Sequence, residues 1–268
     1  MAPRHNLGVG TLPEIRCAMA AELQIYPNYQ AAIAACGRGY DDPDIAKVIA
    51  FKTDYFAEKI QKSLWPEHAA NTIFAVGIAA GDLSARPLRV LDFGGGCGFH
   101  YFAAKAAFKT SLRWAVAESP AMAEQARAAA KGRFEIYEDI TAAAAALGRV
   151  DLVHASSVIQ YVPDPLATLD ALIAMRAPYV MLARLPVWSK DSFVGVQQSS
   201  LKDNGIGPMP SEIADRPIRY PITIKNINDI MSRFERDYEM IVSLPSPSSE
   251  YKVTGNIIGG VTFIFRAK

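Results

Sequence analysis

Residues 91–102 read LDFGGGCGFHYF, in which an acid near the end of an apolar run precedes three consecutive glycines, a cysteine and a fourth glycine. Such a stretch acts through its backbone. Glycine adopts positive φ at no steric cost and leaves no Cβ between the main chain and a ligand. The spacing discriminates among ligands. A Walker loop for nucleoside triphosphates needs Gly-Lys-Ser/Thr at its end, where this chain has Gly98-Phe99-His100. The dinucleotide fingerprint needs small residues at 94, 96 and 99, and Phe99 breaks it. What remains is Asp92 followed by Gly94, Gly95, Gly96 and Gly98, either an ordinary tight strand-to-helix turn or a cofactor cradle.

Further residues have chemistry at suggestive places. Glu118 ends a second apolar run about two dozen residues beyond Gly94, near the distance at which nucleotide-binding folds hold an acid for ribose hydroxyls. Two adjacent hydroxyls suit one carboxylate with two acceptor oxygens. A solvated strand-end acid is the alternative. His100 opens the segment after the glycines and faces either solvent or a substrate, whereas His154 lies on an apolar strand as a hydrogen-bonded core histidine or a general base. Arg184 closes another strand run and either binds an anionic group bidentately or is solvated. The three cysteines, Cys17, Cys36 and Cys97, lack CxxC spacing, so neither a disulfide framework nor a cysteine-built metal site is expected.

These residues need elements to position them. With 268 residues, half of them apolar, the chain is long enough to bury a large core. Lys and Arg total 28 against 27 Asp and Glu, and without a basic run the footprint of a nucleic-acid binder is missing. The N-terminus lacks an apolar signal region, and residues 69–81 are too short to cross a hydrocarbon core of about 30 Å, so a cytoplasmic protein with no membrane span is expected. Residues 11–81 carry helical patterns, in LPEIRCAMAAEL, YPNYQAAIAAC and DPDIAKVIAFKTDYFAEKIQKSL, the last capped by Asp42 or Asp44. A boundary near 85 separates this helical extension, 1–85, from a domain at 86–268.

Beyond that boundary short apolar runs alternate with helical ones, from RVLDF and FHYFAAKAAFK to YVMLAR. The repetition predicts a doubly wound, mostly parallel α/β sheet covered on both faces, because parallel neighbours need crossovers. Residues 185–222 read as a loop-rich insertion that lids a site, with Trp188, Gln197, Gln198 and Tyr220 in it. A helix at 226–236 and two strand runs, YEMIVSLP and VTFIFRAK, complete the chain as an antiparallel edge hairpin.

The pattern hydrophobic-Asp-hydrophobic-Gly-x-Gly-x-Gly over Leu91–Gly98 resembles the first motif of the class I S-adenosylmethionine-dependent methyltransferases. Glu118-Ser119-Pro120-Ala121-Met122 is similar to the family's acid-x-Ser-Pro-x-Met pattern, and DLVHASSVIQYVPDP to its fourth-strand stretch, although Tyr161 stands where a histidine is common. The resemblance covers roughly 86–183 and implies a Rossmann-like seven-stranded sheet and S-adenosyl-L-methionine as cofactor. It implies Asp92 near the cofactor's ammonium or a bridging water, with Gly94, Gly95, Gly96, Gly98 and Ser156 around it. Glu118 and Ser119 fall at the ribose, and Asp139 at the adenine amino group. Gln160, Tyr161 and Arg184 fall where acceptors bind. More narrowly, LDFGGGCGFHYF, SSVIQYVPDP and ARLPV resemble a group of bacterial methyltransferases often associated with surface-polysaccharide genes.

The cofactor carries its own activated methyl group, so the protein mainly holds acceptor and methyl in line and excludes water. An oxygen acceptor needs a base, for which His100 and His154 are the candidates, and Tyr161, reaching the acceptor or covering the cofactor, is the third catalytic candidate. The Asn-Pro-Pro-Tyr motif of many amino and nucleobase methyltransferases is absent, since Ala155-Ser156-Ser157 stands there. The expectation is O-methylation of a small molecule or sugar by an enzyme compatible with a homodimer. Rival classes are a non-catalytic cofactor-binding or interaction module and a nicotinamide-dependent oxidoreductase.

Overall fold

The computed structural model describes residues 21–60, 65–83 and 87–268. Two short strands, β1 (Ala21–Glu22) and β2 (Gln24–Tyr26), precede helices α1 (Tyr29–Ala34), α2 (Pro43–Lys59) and α3 (Glu67–Asp82). The alternating middle runs β3 (Leu88–Phe93), α4 (Phe99–Ala107), β4 (Leu112–Ala117), α5 (Pro120–Ala130), β5 (Glu135–Tyr137), α6 (Ile140–Leu147), β6 (Leu152–Ser156), α7 (Pro165–Ile173) and β7 (Tyr179–Trp188). Then come β8 (Phe193–Ser200), β9 (Pro217–Asn226), α8 (Ile227–Phe234), β10 (Tyr238–Val253) and β11 (Asn256–Ala267). Local chemistry sets the helix starts. The Asp42 carboxylate accepts from the Asp44 N–H ahead of α2, and that of Asp164 accepts from Leu166 and Ala167 ahead of α7, each with proline in the first turn.

The main sheet has the order β5-β4-β3-β6-β7-β11-β10, with β1 adding a two-residue edge beside β10. Its first five strands are parallel, and β11 runs antiparallel to both of its neighbours. This is the doubly wound, Rossmann-like, seven-stranded arrangement expected. The strand order reverses between β3 and β6, the switch point at whose carboxyl edge such sheets bind ligands. Alternation along each strand feeds two cores. Val90, Trp114 and Leu152 face α3 and α4, while Leu91, Ala115 and Val153 face α6 and α7.

Two expectations are corrected. Residues 21–26 are strands, not the end of a helix: β1 pairs parallel with β10 and β2 antiparallel with β8, while Leu23 between them is buried against Ile222, Ile224 and Tyr251. Tertiary pairing overrides the helical propensity of that segment. Residues 12–20 of the expected helix, with Cys17, lie outside the described residues. The insertion is likewise ordered as strands, since β8 and β9 pair antiparallel from Phe193↔Ile224 to Ser200↔Pro217 and β9 joins the end of β7. Within the insertion, residues 189–192 and the stretch between β8 and β9, with its turn at 205–210, lack strand structure. Among the described residues no helix is long and apolar enough to cross a membrane.

Candidate functional site

At the end of β3 the chain turns through Gly94 (φ 68°), Gly96 (φ 55°) and Gly98 (φ 87°) into α4. Two of these positions also lack room, since a Cβ on Gly94 would overlap Val158 and one on Gly98 would overlap Phe134. Gly94 and Gly96 line a cavity of about 1240 Å³ at the carboxyl edge of the sheet. Across it, the Glu118 carboxylate accepts from the Gly96 N–H at 2.9 Å and from the Ser119 N–H at 2.9 Å, tying the ends of β3 and β4 together. Burial raises the Glu118 pKa, the two amides pull it down, and Asp92 pushes it up. Each oxygen keeps a second lone pair for a ligand.

Asp92 points the other way. It is fully buried, its Oδ1 lies 2.7 Å from His154 Nδ1, and its Oδ2 accepts from Trp114 Nε1 at 3.1 Å. The Thr72 hydroxyl lies 3.0 Å from His154 Nε2 and 2.8 Å from His100 Nδ1, so a polar chain runs through the core on the α3 side of the sheet. Asp92, His100 and His154 are absent from the cavity wall, as are Gly95, Gly98 and Gln160. This placement holds the two histidines in the core away from the cavity wall and gives Asp92 partners in the protein itself. Burial, then His154, His68 and Arg184, hold the His100 pKa well below its usual value, and burial, then Arg184 and His154, bring that of His68 down to about 3. Both rings are therefore neutral at pH 7. Thr72→Val strips two buried ring nitrogens of a partner and is expected to lower the unfolding free energy by about 1–3 kcal/mol in urea denaturation. An unchanged midpoint would remove the network from the stability of the core.

The other expected residues do reach the cavity: Ser119, Asp139, Ser156, Tyr161 and Arg184 all line it. Asp139 is exposed and caps α6, accepting from the Ala142 N–H at 2.8 Å with one oxygen, while neighbouring Glu138 pairs with Arg127. The buried Ser156 Oγ has no partner among the described residues. Ser157 (φ 55°), just past the end of β6, and Arg184 (φ 56°), which lies within β7 rather than closing it as expected, both have left-handed backbones, a conformation that costs non-glycine residues roughly 1–3 kcal/mol and collects at functional sites. Behind them the Gln160 amide donates to Ser157 Oγ at 3.1 Å and to the Arg184 carbonyl at 3.4 Å.

Sequence reasoning named Tyr161 and Tyr220 but missed Tyr29, Tyr40 and Tyr251, which join them at the other end of the cavity. Tyr29, Tyr40, Tyr161, Tyr220 and Tyr251 line it, and they come from α1, the turn after it, the 3₁₀ turn Ile159–Tyr161, β9 and β10. Tyr40 stacks on Tyr220 at 4.5 Å and lies 5.0 Å from Tyr161, whose hydroxyl donates to Gln197 Oε1 at 2.9 Å and sits 3.2 Å from that of Tyr251. Burial and Tyr251 raise the Tyr161 pKa well above its usual value, so this phenol stays protonated. No spacing in the chain signals that residues so far apart converge. Of the insertion residues Gln197, Gln198 and Tyr220 face the cavity, whereas Trp188 lies outside it under the Lys190 ammonium. Buried Lys52 of α2 donates to the carbonyls of Lys202 and Gly205, pinning the loop after β8 over the cavity.

No protein-family model and no curated protein matches the chain. Among solved structures it is similar to Streptomyces venezuelae DesVI, with 16% identity over 82% of this chain and 98% of that one and a TM-score of 0.50. At that identity the likeness is one of fold, the doubly wound α/β class. It is also similar to an S-adenosylmethionine-dependent methyltransferase from Clostridium acetobutylicum (9% identity, 80% and 96% of the two chains, TM-score 0.48). A third likeness is to CalS10, an amino pentose methyltransferase from Micromonospora echinaspora (17%, 81% and 96%, TM-score 0.47).

Proposed function

We propose that this chain is an S-adenosylmethionine-dependent methyltransferase that methylates a small molecule or sugar on oxygen. The observation that carries the reading is Glu118, fixed by two backbone amides on the wall of a cavity that the positive-φ glycines 94 and 96 also line. The residues present fit the cofactor: a carboxylate with free lone pairs suits adjacent ribose hydroxyls, and the partnerless Ser156 Oγ suits a polar ligand atom. Asp139, with one oxygen outside its helix cap, suits the adenine amino group. When bound, S-adenosylmethionine supplies a methyl group already activated on a sulfonium.

The chain's own part is to bind, orient and exclude water. The protonated tyrosines and Gln197 would hold an acceptor hydroxyl without acting as the base, and the proton freed as the new oxygen–methyl bond forms would pass to solvent water. Residues 21–82 supply Tyr29, Tyr40 and Lys52 to the cavity, which supports their role as a cap over the acceptor end. Parallel calorimetric titrations with S-adenosylmethionine, S-adenosylhomocysteine and NADH test the reading. Saturable binding of the first two alone supports it, whereas binding of NADH alone replaces it with an oxidoreductase.

A second expected outcome concerns pH. Because the Glu118 pKa is raised, acidification protonates it earlier than an ordinary glutamate, and a protonated carboxyl has lost acceptor capacity. Affinity for S-adenosylhomocysteine is expected to fall as pH drops toward that raised pKa. Glu118→Gln should bind more weakly at neutral pH and lose this dependence; an unaltered profile in the variant would assign the titration elsewhere.

A further inference from the structure

Arg184 is held with unusual care for a solvated residue. The register of β7 against β11 slips between Val261↔Leu185 and Phe263↔Leu182, a bulge that re-aims the side chain next to it. At that bulge Arg184 has a left-handed backbone, clamped from both sides: its N–H donates to Thr262 Oγ1 at 3.3 Å, and its carbonyl accepts from the buried Gln160. The same Gln160 amide holds Ser157, the strained residue that follows Ser156 on β6, and Ser156 is in register with Ala183 on β7. Two strained non-glycine residues thus stand side by side on the cavity wall with one buried amide behind both. The remaining non-glycine residues of positive φ among the described ones, Lys131, Arg176 and Thr254, follow helices or sit in the β10–β11 turn.

The chemistry presented there is one-sided. The Arg184 guanidinium forms no ion pair with a described residue; its Nε donates to Ser249 Oγ at 3.3 Å, and its Nη atoms are left for something else. The Ser157 hydroxyl accepts from Gln160 and keeps its own proton to donate. A fork of N–H groups flanked by a hydroxyl donor matches an oxyanion. Resting on the methyltransferase reading for the name of the ligand, we propose that Arg184 anchors an oxyanion subsite, with the Ser157 hydroxyl as a further donor and Gln160 as its positioning residue, so that the methyl acceptor carries a carboxylate or a phosphate. Lys would not substitute, because its ammonium is a point charge without the planar fork.

The test follows the Arg184 Nε–H resonance of ¹⁵N-labelled full-length protein, assigned by its loss in Arg184→Lys, during titration with sodium acetate and separately with inorganic phosphate. Exposed Arg236 is the internal control, and each titration is run with and without S-adenosylhomocysteine, whose own affinity is measured by calorimetry. The expected result is a saturable shift at Arg184 with an apparent affinity at least about tenfold above that at Arg236, the size of one hydrogen bond to a charged group. A stronger response to phosphate marks a phosphoester acceptor, and a stronger response to acetate marks a carboxylic acid. Gln160→Met leaves the guanidinium chemically intact and is expected to weaken the Arg184 response by about tenfold with S-adenosylhomocysteine affinity unchanged. Shifts at Arg184 that merely track those at Arg236 overturn the subsite, and a saturable shift unaffected by Gln160→Met overturns the positioning role. Failure to bind S-adenosylhomocysteine alongside a saturable Arg184 shift would instead sink the cofactor reading and leave the anion site standing.

Discussion

Asp92→Ala is expected to lower the unfolding free energy by about 3–5 kcal/mol, the range for removing one partner of a buried charged or hydrogen-bonded pair. Asp92 has no exposed surface, and His154 and Trp114, which its two oxygens face, have 0% and 1% exposed. Alanine leaves the indole N–H and the His154 Nδ1 side without a partner in a space closed to water by α3 and α4. It also removes the carboxylate over which Gly95 packs so closely that a Cβ at 95 would overlap it. Asp92→Asn keeps an acceptor for one partner and is expected to lose less. Urea denaturation of the three proteins reads the difference, and a loss for Asp92→Ala below about 1 kcal/mol, the worth of one ordinary hydrogen bond, would show that the pair is not a structural anchor.

The position of Asp92 also shows where sequence reasoning stops. At the end of a strand before glycines it resembles a ligand-facing acid, yet side chains alternate along strands, and 92 shares its face with Val90 as 154 does with Leu152. Both point at α3 and α4, into the core. That parity is present in the sequence, but only the helix positions reveal which face is covered by which layer. The parallel sheet itself was legible because each strand is a short apolar run bounded by a capped or proline-started helix, as at Ser119-Pro120 and Asp164-Pro165. The glycine turn and Glu118 were legible because backbone conformation and strand-end position carry the signal. Nothing comparable joins Tyr29, Tyr40 and Tyr251 to Tyr161 and Tyr220, because their convergence depends on β2–β8 and β1–β10 pairings formed by segments with helical or proline-broken patterns. The glycine-turn end of the cavity is set largely by local turns, whereas Tyr29, Tyr40 and Tyr251 reach its other end through tertiary pairing that no local pattern signals.

The same distinction sets the expectation for the glycine loop. Gly96→Val is expected to weaken S-adenosylhomocysteine binding at least about tenfold, a loss of 1.4 kcal/mol or more, in a protein that still folds. The first added atom meets only Ile49 Cγ2 at 3.4 Å, ordinary contact, so the native packing survives. The φ of 55° adds strain of roughly 1–2 kcal/mol for a residue with a Cβ, tolerable for a domain but felt as a lower melting temperature. The two methyl groups beyond that atom have the cavity as their open side, beside the amide that Glu118 holds. Gly94→Ala serves as the contrast, because its Cβ would lie 2.6 Å from the Val158 Cβ and must displace the 3₁₀ turn that bears Tyr161. That variant should lose stability first and affinity as a consequence. Calorimetry and thermal unfolding on both separate the two effects: an affinity within twofold of the native protein for a folded Gly96→Val would mean that the cofactor does not lie against this turn, and the cavity's use would have to be sought at its tyrosine end alone.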